Sequence, residues 1–138
     1  MKYVFKNLIL FFIYGITYYC IELIYRGYSH WSMLICGGCC AILIALLNEN
    51  YSWQMPLWKQ VGIGEIIVLT LEFITGCIVN LWLGWNIWDY SSLPFNILGQ
   101  ICLPFAILWI PLILVVIVLD DYLRYWWFGE EKPHYKLF

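Results

Sequence analysis

Three carboxylates stand where a carboxylate is expensive. Glu22, Glu65 and Glu72 each fall inside a long apolar run. A charge at the centre of a bilayer-spanning helix costs about 2.5–3.5 kcal/mol on insertion scales, so each needs a partner or a task. At 3.6 residues per turn, Gly62, Glu65, Leu69, Glu72, Gly76 and Asn80 fall within an arc of about 80°. A helix through them carries one narrow polar and small stripe, which faces other helices, a wet path or a second subunit rather than lipid. Glu72 lies mid-run with no cation in its own segment, and two readings stay open for it: a proton- or cation-handling group, or a hydrogen-bonded packing residue. Glu65 lies near the start of the run, where a carboxylate can snorkel to the surface.

A second ridge runs through Tyr14, Tyr18, Glu22 and Arg26 at intervals of four. That spacing lets Glu22 and Arg26 pair on one helix face, so Glu22 is either a helix-end ion pair or part of a transport path. Glu22, Glu65, Glu72 and Asn80 are therefore the candidate path residues. Arg26, His30, Asp89, Asn96 and Gln100 cluster by topology toward the opposite end from Glu65. They suggest either a polar vestibule or a capped, hydrogen-bonded loop, in which Asp89 or Ser91 caps a turn and Asn96 caps the following helix.

The elements that must position these residues follow from composition. The chain has 138 residues, 64% hydrophobic and 12% charged, with a net charge of −2. A soluble domain is about 45–50% apolar and about 25% charged. The balance excludes a soluble enzyme, a secreted disulfide scaffold and a nucleic-acid binder. Four segments reach the roughly 20 apolar residues that cross a bilayer: Asn7–Tyr25, Trp31–Asn48, Val61–Leu83 and Ile97–Leu119. Their connections are short, which predicts an all-α membrane protein, an antiparallel bundle of four transmembrane helices over residues 1–119. Residues 120–138 hold seven of the sixteen charged residues and predict a cytoplasmic tail, a solvated helical extension and then a short coil through Pro133.

Six of the seven Lys and Arg residues (Lys2, Lys6, Lys59, Arg124, Lys132, Lys136) fall on one side of this topology, with Arg26 alone on the other. The positive-inside rule then puts both termini in the cytoplasm. Most tryptophans lie near span ends, as interfacial anchors do, and Trp109 is the deep exception. The first run lacks a small-residue cleavage site, so it reads as a retained span rather than a signal peptide. Pro104 and Pro111 in the last span each remove a backbone donor, freeing the carbonyls of Gln100 and Ile107. Such breaks expose backbone to cargo in transporters, and ordinary packed kinks are the other reading.

All six cysteines fall inside spans, away from the outer connections where a thiol oxidase would need them. Cys36, Cys39 and Cys40 share a face at a spacing a soft metal could use. With Gly37 and Gly38 they read more simply as a small-residue face for close helix packing. No cofactor or metal is implied.

Several separated stretches carry a family resemblance. Glu22…Arg26-Gly27-Tyr28-Ser29-His30-Trp31-Ser32-Met33 with Gly37-Gly38, Glu72-Phe73-Ile74-Thr75-Gly76…Asn80, Trp88-Asp89-Tyr90-Ser91…Pro94-Phe95-Asn96 and Gly99-Gln100-Ile101-Cys102 stand in one order over residues 14–128. The chain resembles the ABC-transporter type IV family of small bacterial membrane proteins. The resemblance implies a permease-like role in the bacterial plasma membrane. The sequence has no G-x-x-x-x-G-K-[ST] loop for ATP and no recognisable coupling helix. Four spans are few for a complete pump half, so a permease of this size would work as a homo-oligomer, a dimer by default, or with a partner membrane subunit. Three functions remain: a non-enzymatic transporter or channel component, a structural or interaction protein whose polar residues pack helices, and an outer-surface enzyme using His30, Asp89 and Glu22. No nucleophile–base motif supports the last.

Overall fold

In the computed structural model, the chain is helical apart from its connections and tail. The structure describes residues 1–51 and 53–138, the side chain of Asn48 excepted. Helix α1 spans Lys2–Arg26, α2 Trp31–Asn50, α3 Leu57–Gly76 and α4 Leu103–Phe128. Three helical stretches, Lys2–Arg26, Leu57–Trp82 and Leu103–Phe128, are long and apolar enough to cross a membrane, and Trp31–Leu47 is a shorter apolar helix. Residues that face outward are mostly large and apolar, for instance Val4, Phe12, Ile66, Ile107 and Val115. Lipid solvates such a surface at no cost, so packing and hydrogen bonding, rather than the hydrophobic effect, must hold the helices together.

The ends of the helices obey local rules. Gly27 (φ 78°) caps α1 with its N–H on the Leu23 carbonyl, and Gly129 (φ 67°) closes α4 on Arg124. At the start of α2, His30 Nδ1 accepts the Ser32 N–H at 3.2 Å, satisfying one orphan donor. The helices α1 and α2 approach closely along the cysteine–glycine face: a Cβ on Gly38 would sit 2.8 Å from the Phe11 ring. The small-residue reading of that segment therefore describes its packing, and all six thiols are free.

Helix α3 begins four residues earlier than the apolar run suggests, at Leu57, and its end is π-helical over Cys77–Trp82, where the Leu83 N–H reaches back to the Ile78 carbonyl at 2.9 Å. The wider turn keeps Val79 and Asn80 both buried. The expectation that the last span begins at residue 97 is corrected. Leu98 and Gly99 have left-handed φ values of 52° and 70°, which end any helix. Asn96 spends its amide within the connection, donating to the carbonyls of Ser91 (3.2 Å) and Leu93 (2.9 Å) and accepting the Gly99 N–H (3.1 Å). It therefore caps no helix; Cys102 is the N-cap of α4. Pro104 lies in the first turn of α4, where its missing donor costs nothing, and Pro111 alone is inside. The Gln100 carbonyl accepts the Trp88 indole N–H at 3.0 Å.

Beyond residue 119, α4 continues for more than two turns, and Asp120, Asp121 and Arg124 are buried. The solvated tail is corrected in this respect: its first charges pair with one another and with other helices. The segment after α4 folds back along the bundle, with the Lys136 carbonyl accepting the Leu57 N–H at 2.7 Å and Tyr135 donating to Asp121 at 2.9 Å. Lys6 and Glu130 bond directly, so both chain ends lie at one end of the helices. The Arg26 end is the other.

Candidate functional site

Helix α3 buries every fourth residue, Gln60, Gly64, Val68, Glu72 and Gly76, and the ridge continues to Asn80. Glu72 is therefore held in the contact between helices, only 4% exposed. Its Oε2 accepts the Trp109 indole N–H at 3.0 Å from α4, and its Oε1 accepts the Tyr90 hydroxyl at 3.3 Å from the connection before α4. Both donors are neutral. Tyr90 is fixed by stacking on Phe105 at 4.6 Å between ring centres, and Trp109 lies against the Tyr18 ring at 5.7 Å. From α2, Cys36 lies beside this group and accepts the Thr75 hydroxyl at 3.5 Å.

Glu22 closes the same helix seam toward the Arg26 end. Its Oε2 accepts from Arg26 at 2.9 Å and from the Ser29 hydroxyl at 3.0 Å. Its Oε1 accepts the Tyr18 hydroxyl at 3.2 Å. The i, i+4 pair expected from spacing is present. Tyr18 thus stands between the two carboxylates, bonded to one and within electrostatic reach of the other. Arg26 also reaches the Ile87 carbonyl at 3.4 Å, and its guanidinium lies over the Tyr28 ring.

The other expected residues take separate places. The Asn80 carbonyl oxygen accepts the Ile87 N–H at 2.7 Å while its amide donates to Gln100 Oε1 at 2.8 Å. Gln100 in turn donates to the Leu98 carbonyl at 2.8 Å. These two amides fasten the irregular connection to the end of α3. His30 packs against Trp31 and Trp85. Asp89 is fully exposed and accepts the Ser91 N–H at 2.8 Å, a bond that holds its carboxyl below the usual range. Arg26, His30, Asp89, Asn96 and Gln100 therefore take part in several local arrangements. Glu65 is half-buried, and both its carboxylate oxygens are covered without a hydrogen-bond partner among the described residues, so it does not snorkel.

A charged network missed by sequence reasoning lies toward the chain ends. Asp120, with no exposure, accepts from Tyr14 at 2.7 Å and from Arg124 at 2.6 Å. Arg124, also buried, donates to Asn7 at 3.1 Å and faces Glu49 at 3.3 Å. Lys6 bonds Glu130 and lies 3.8 Å from Glu49. The visible signal was the four-residue spacing of Asp120 and Arg124 directly after an apolar run.

Among the described residues, two grooves stand out on the helix surface. One, of about 240 Å³, is lined by Trp31, Cys36, Cys39, Thr75, Val79 and Trp85 among others. The second, of about 400 Å³, follows α4 from Leu114 to Trp126. Neither is lined by Glu22, Glu65, Glu72 or Asn80. Among the described residues no group of three or more His, Cys, Asp or Glu side chains is placed to hold a metal ion.

The family model described as "Putative ABC-transporter type IV" matches residues 9–130. The chain belongs to this family. No solved structure matches it. The match takes in α2, α3 and α4 whole, α1 from residue 9 onward, and every candidate site residue expected from the sequence. With its long apolar helices, this ABC-transporter type IV chain is a transport-related membrane protein.

Proposed function

We propose that this chain is a small transporter or channel component of the bacterial plasma membrane, in which Glu72 handles a proton or small cation. Glu22 and Arg26 stand toward the outer end of the path. The observation that carries this reading is Glu72 itself: a carboxylate in the interior of an apolar helix, 4% exposed, held by two neutral donors and, among the described residues, by no cation. A permanently charged group placed there would be stabilised by a partner of opposite sign. A group bonded, among the described residues, to an indole and a phenol can accept and release a proton without stranding a counter-charge.

The topology we assign has four antiparallel spans, with α2 as the fourth: its 20 residues extend about 30 Å, enough for the hydrocarbon core. The excess of Lys and Arg at the end carrying the chain termini supports a cytoplasmic placement of both. The protein works without catalysing a reaction, as a homodimer or with a partner membrane subunit, and needs no cofactor.

A second reading has its own support. Glu72 ties α3 to α4 and to the connection before it, as a packing residue would. Glu72→Gln in reconstituted vesicles separates the two. Conduction predicts that H⁺, Na⁺ or K⁺ flux measured with ion-sensitive dyes disappears while insertion and melting temperature hold. Packing predicts a lowered melting temperature with flux unchanged, and that result would remove Glu72 from any path.

A further inference from the structure

In sequence, the end that holds both chain termini is close to neutral: six Lys and Arg residues stand against Glu49, Asp120, Asp121, Glu130 and Glu131. The fold sorts these charges. Lys6 and Arg124 turn inward, where they engage Glu49, Asp120 and Glu130, and Tyr135 bonds the buried Asp121. Four lysines are left outside. Lys2, Lys59, Lys132 and Lys136 are exposed, and none has a carboxylate within ion-pair distance among the described residues. Of the acids at this end, Glu131 alone is outside the inner network, with His134 at 3.7 Å.

The return of the chain brings two of these lysines together. The Lys136 carbonyl accepts the Leu57 N–H at 2.7 Å, so Lys136 arrives beside the first turn of α3, which carries Lys59. Their sequence neighbours Trp58, Leu137 and Phe138 are exposed and apolar. The Lys59 ammonium lies 5.5 Å from the centre of the Trp58 ring. Lys2 opens α1, and Trp126 and Trp127 are exposed near the close of α4. Exposed indoles at a span end settle at the level of lipid headgroups, which sets the lysines among phosphates.

We infer that this end is a docking surface for anionic phospholipid, with Lys2, Lys59, Lys132 and Lys136 binding the headgroup phosphates. Trp58, Leu137 and Phe138 lie against the apolar segments beneath the phosphates. An ammonium is a compact point charge with three rotatable donors, which suits a phosphodiester held in no fixed orientation. Unpaired cations at a headgroup layer attract anionic lipid. A zwitterionic headgroup brings a cation of its own, which the same lysines repel. The inference needs only that this end lies at a headgroup layer, and it is independent of conduction at Glu72.

The test reconstitutes the full chain in phosphatidylcholine vesicles containing phosphatidylglycerol, with one of the two lipids brominated. Quenching of tryptophan fluorescence reads the preference between them. The wild type should favour phosphatidylglycerol several-fold at low salt. It should lose most of that preference at about 1 M NaCl, where charges are screened beyond about 3 Å. Lys59→Gln with Lys136→Gln should lower the preference by up to about fivefold per lysine, and replacing all four lysines by Gln should abolish it. The salt series on the wild type decides the matter if a variant fails to fold. Equal quenching by the two lipids in the wild type overturns the inference, as does a preference that survives the fourfold replacement. Loss of the preference to inorganic phosphate at fixed ionic strength also overturns it, by assigning the surface to a soluble anion.

Discussion

Asn80 is a polar residue in a span whose side chain is held by two neighbouring segments. Its side chain accepts from Ile87 and donates to Gln100, and both partners are buried. Asn80→Ala should strand the Ile87 N–H and the side-chain Oε1 of Gln100, at about 1–3 kcal/mol for each orphaned group. A thermal melt in detergent should fall by several degrees, while proton or cation flux per folded molecule stays the same; lost flux at unchanged melting would return Asn80 to the path. The helical stripe places Asn80 and Glu72 on one face, and that much is readable from spacing. Their different fates depend on Ile87, Gln100, Tyr90 and Trp109, which the chain brings from 7 to 37 residues away.

At the scale of elements, the α3 ridge sets how closely its neighbours come. Gly64 lies against Ile113 of α4, where an added Cβ would sit 2.7 Å from the Ile113 Cγ2, and Ile113 is itself only 2% exposed. Gly64→Ala should cost about 1–3 kcal/mol through overpacking. Gly62 is exposed and an added Cβ meets nothing within 4 Å, so Gly62→Ala should be neutral or stabilise α3 by up to about 1 kcal/mol. Melting curves of the pair check this; equal effects would mean that α3 and α4 do not pack as described. The two glycines stand two residues apart and look alike in sequence. The start of α4 was equally hidden, because the apolar run from Ile97 to Cys102 has helical composition but a backbone committed to turns by Leu98, Gly99 and the Asn96 side chain.

Across the whole molecule, the strongest ties between distant parts gather at the end that holds both termini. Arg124 joins α4 to Asn7 of α1 and faces Glu49 of α2, and it neutralises Asp120. Removing one partner of a buried pair leaves an uncompensated charge, at about 3–5 kcal/mol. Arg124→Met should therefore destabilise the fold severely, and adding Asp120→Asn should restore most of the loss, since the amide still accepts from Tyr14. Chemical denaturation in mixed micelles measures both; a double variant no better than the single would show that the pair is not the source of the cost. The path proposed at Glu72 lies toward the opposite end, so this clamp and the site can be altered independently.

Composition and apolar run length alone determined that the chain is helical and built for a membrane, and spacing alone paired Glu22 with Arg26 on one face. The reason is that bilayer thickness and helix pitch are local constraints, met or failed within about twenty residues. Only the tertiary structure decided that Glu72 is covered by Tyr90 and Trp109, that Asn80 is a fastener, and that Asp120 and Arg124 are buried. Each of those outcomes turns on a hydrogen-bond partner brought by another segment, and in a low-dielectric interior the partner governs whether a polar group is tolerated.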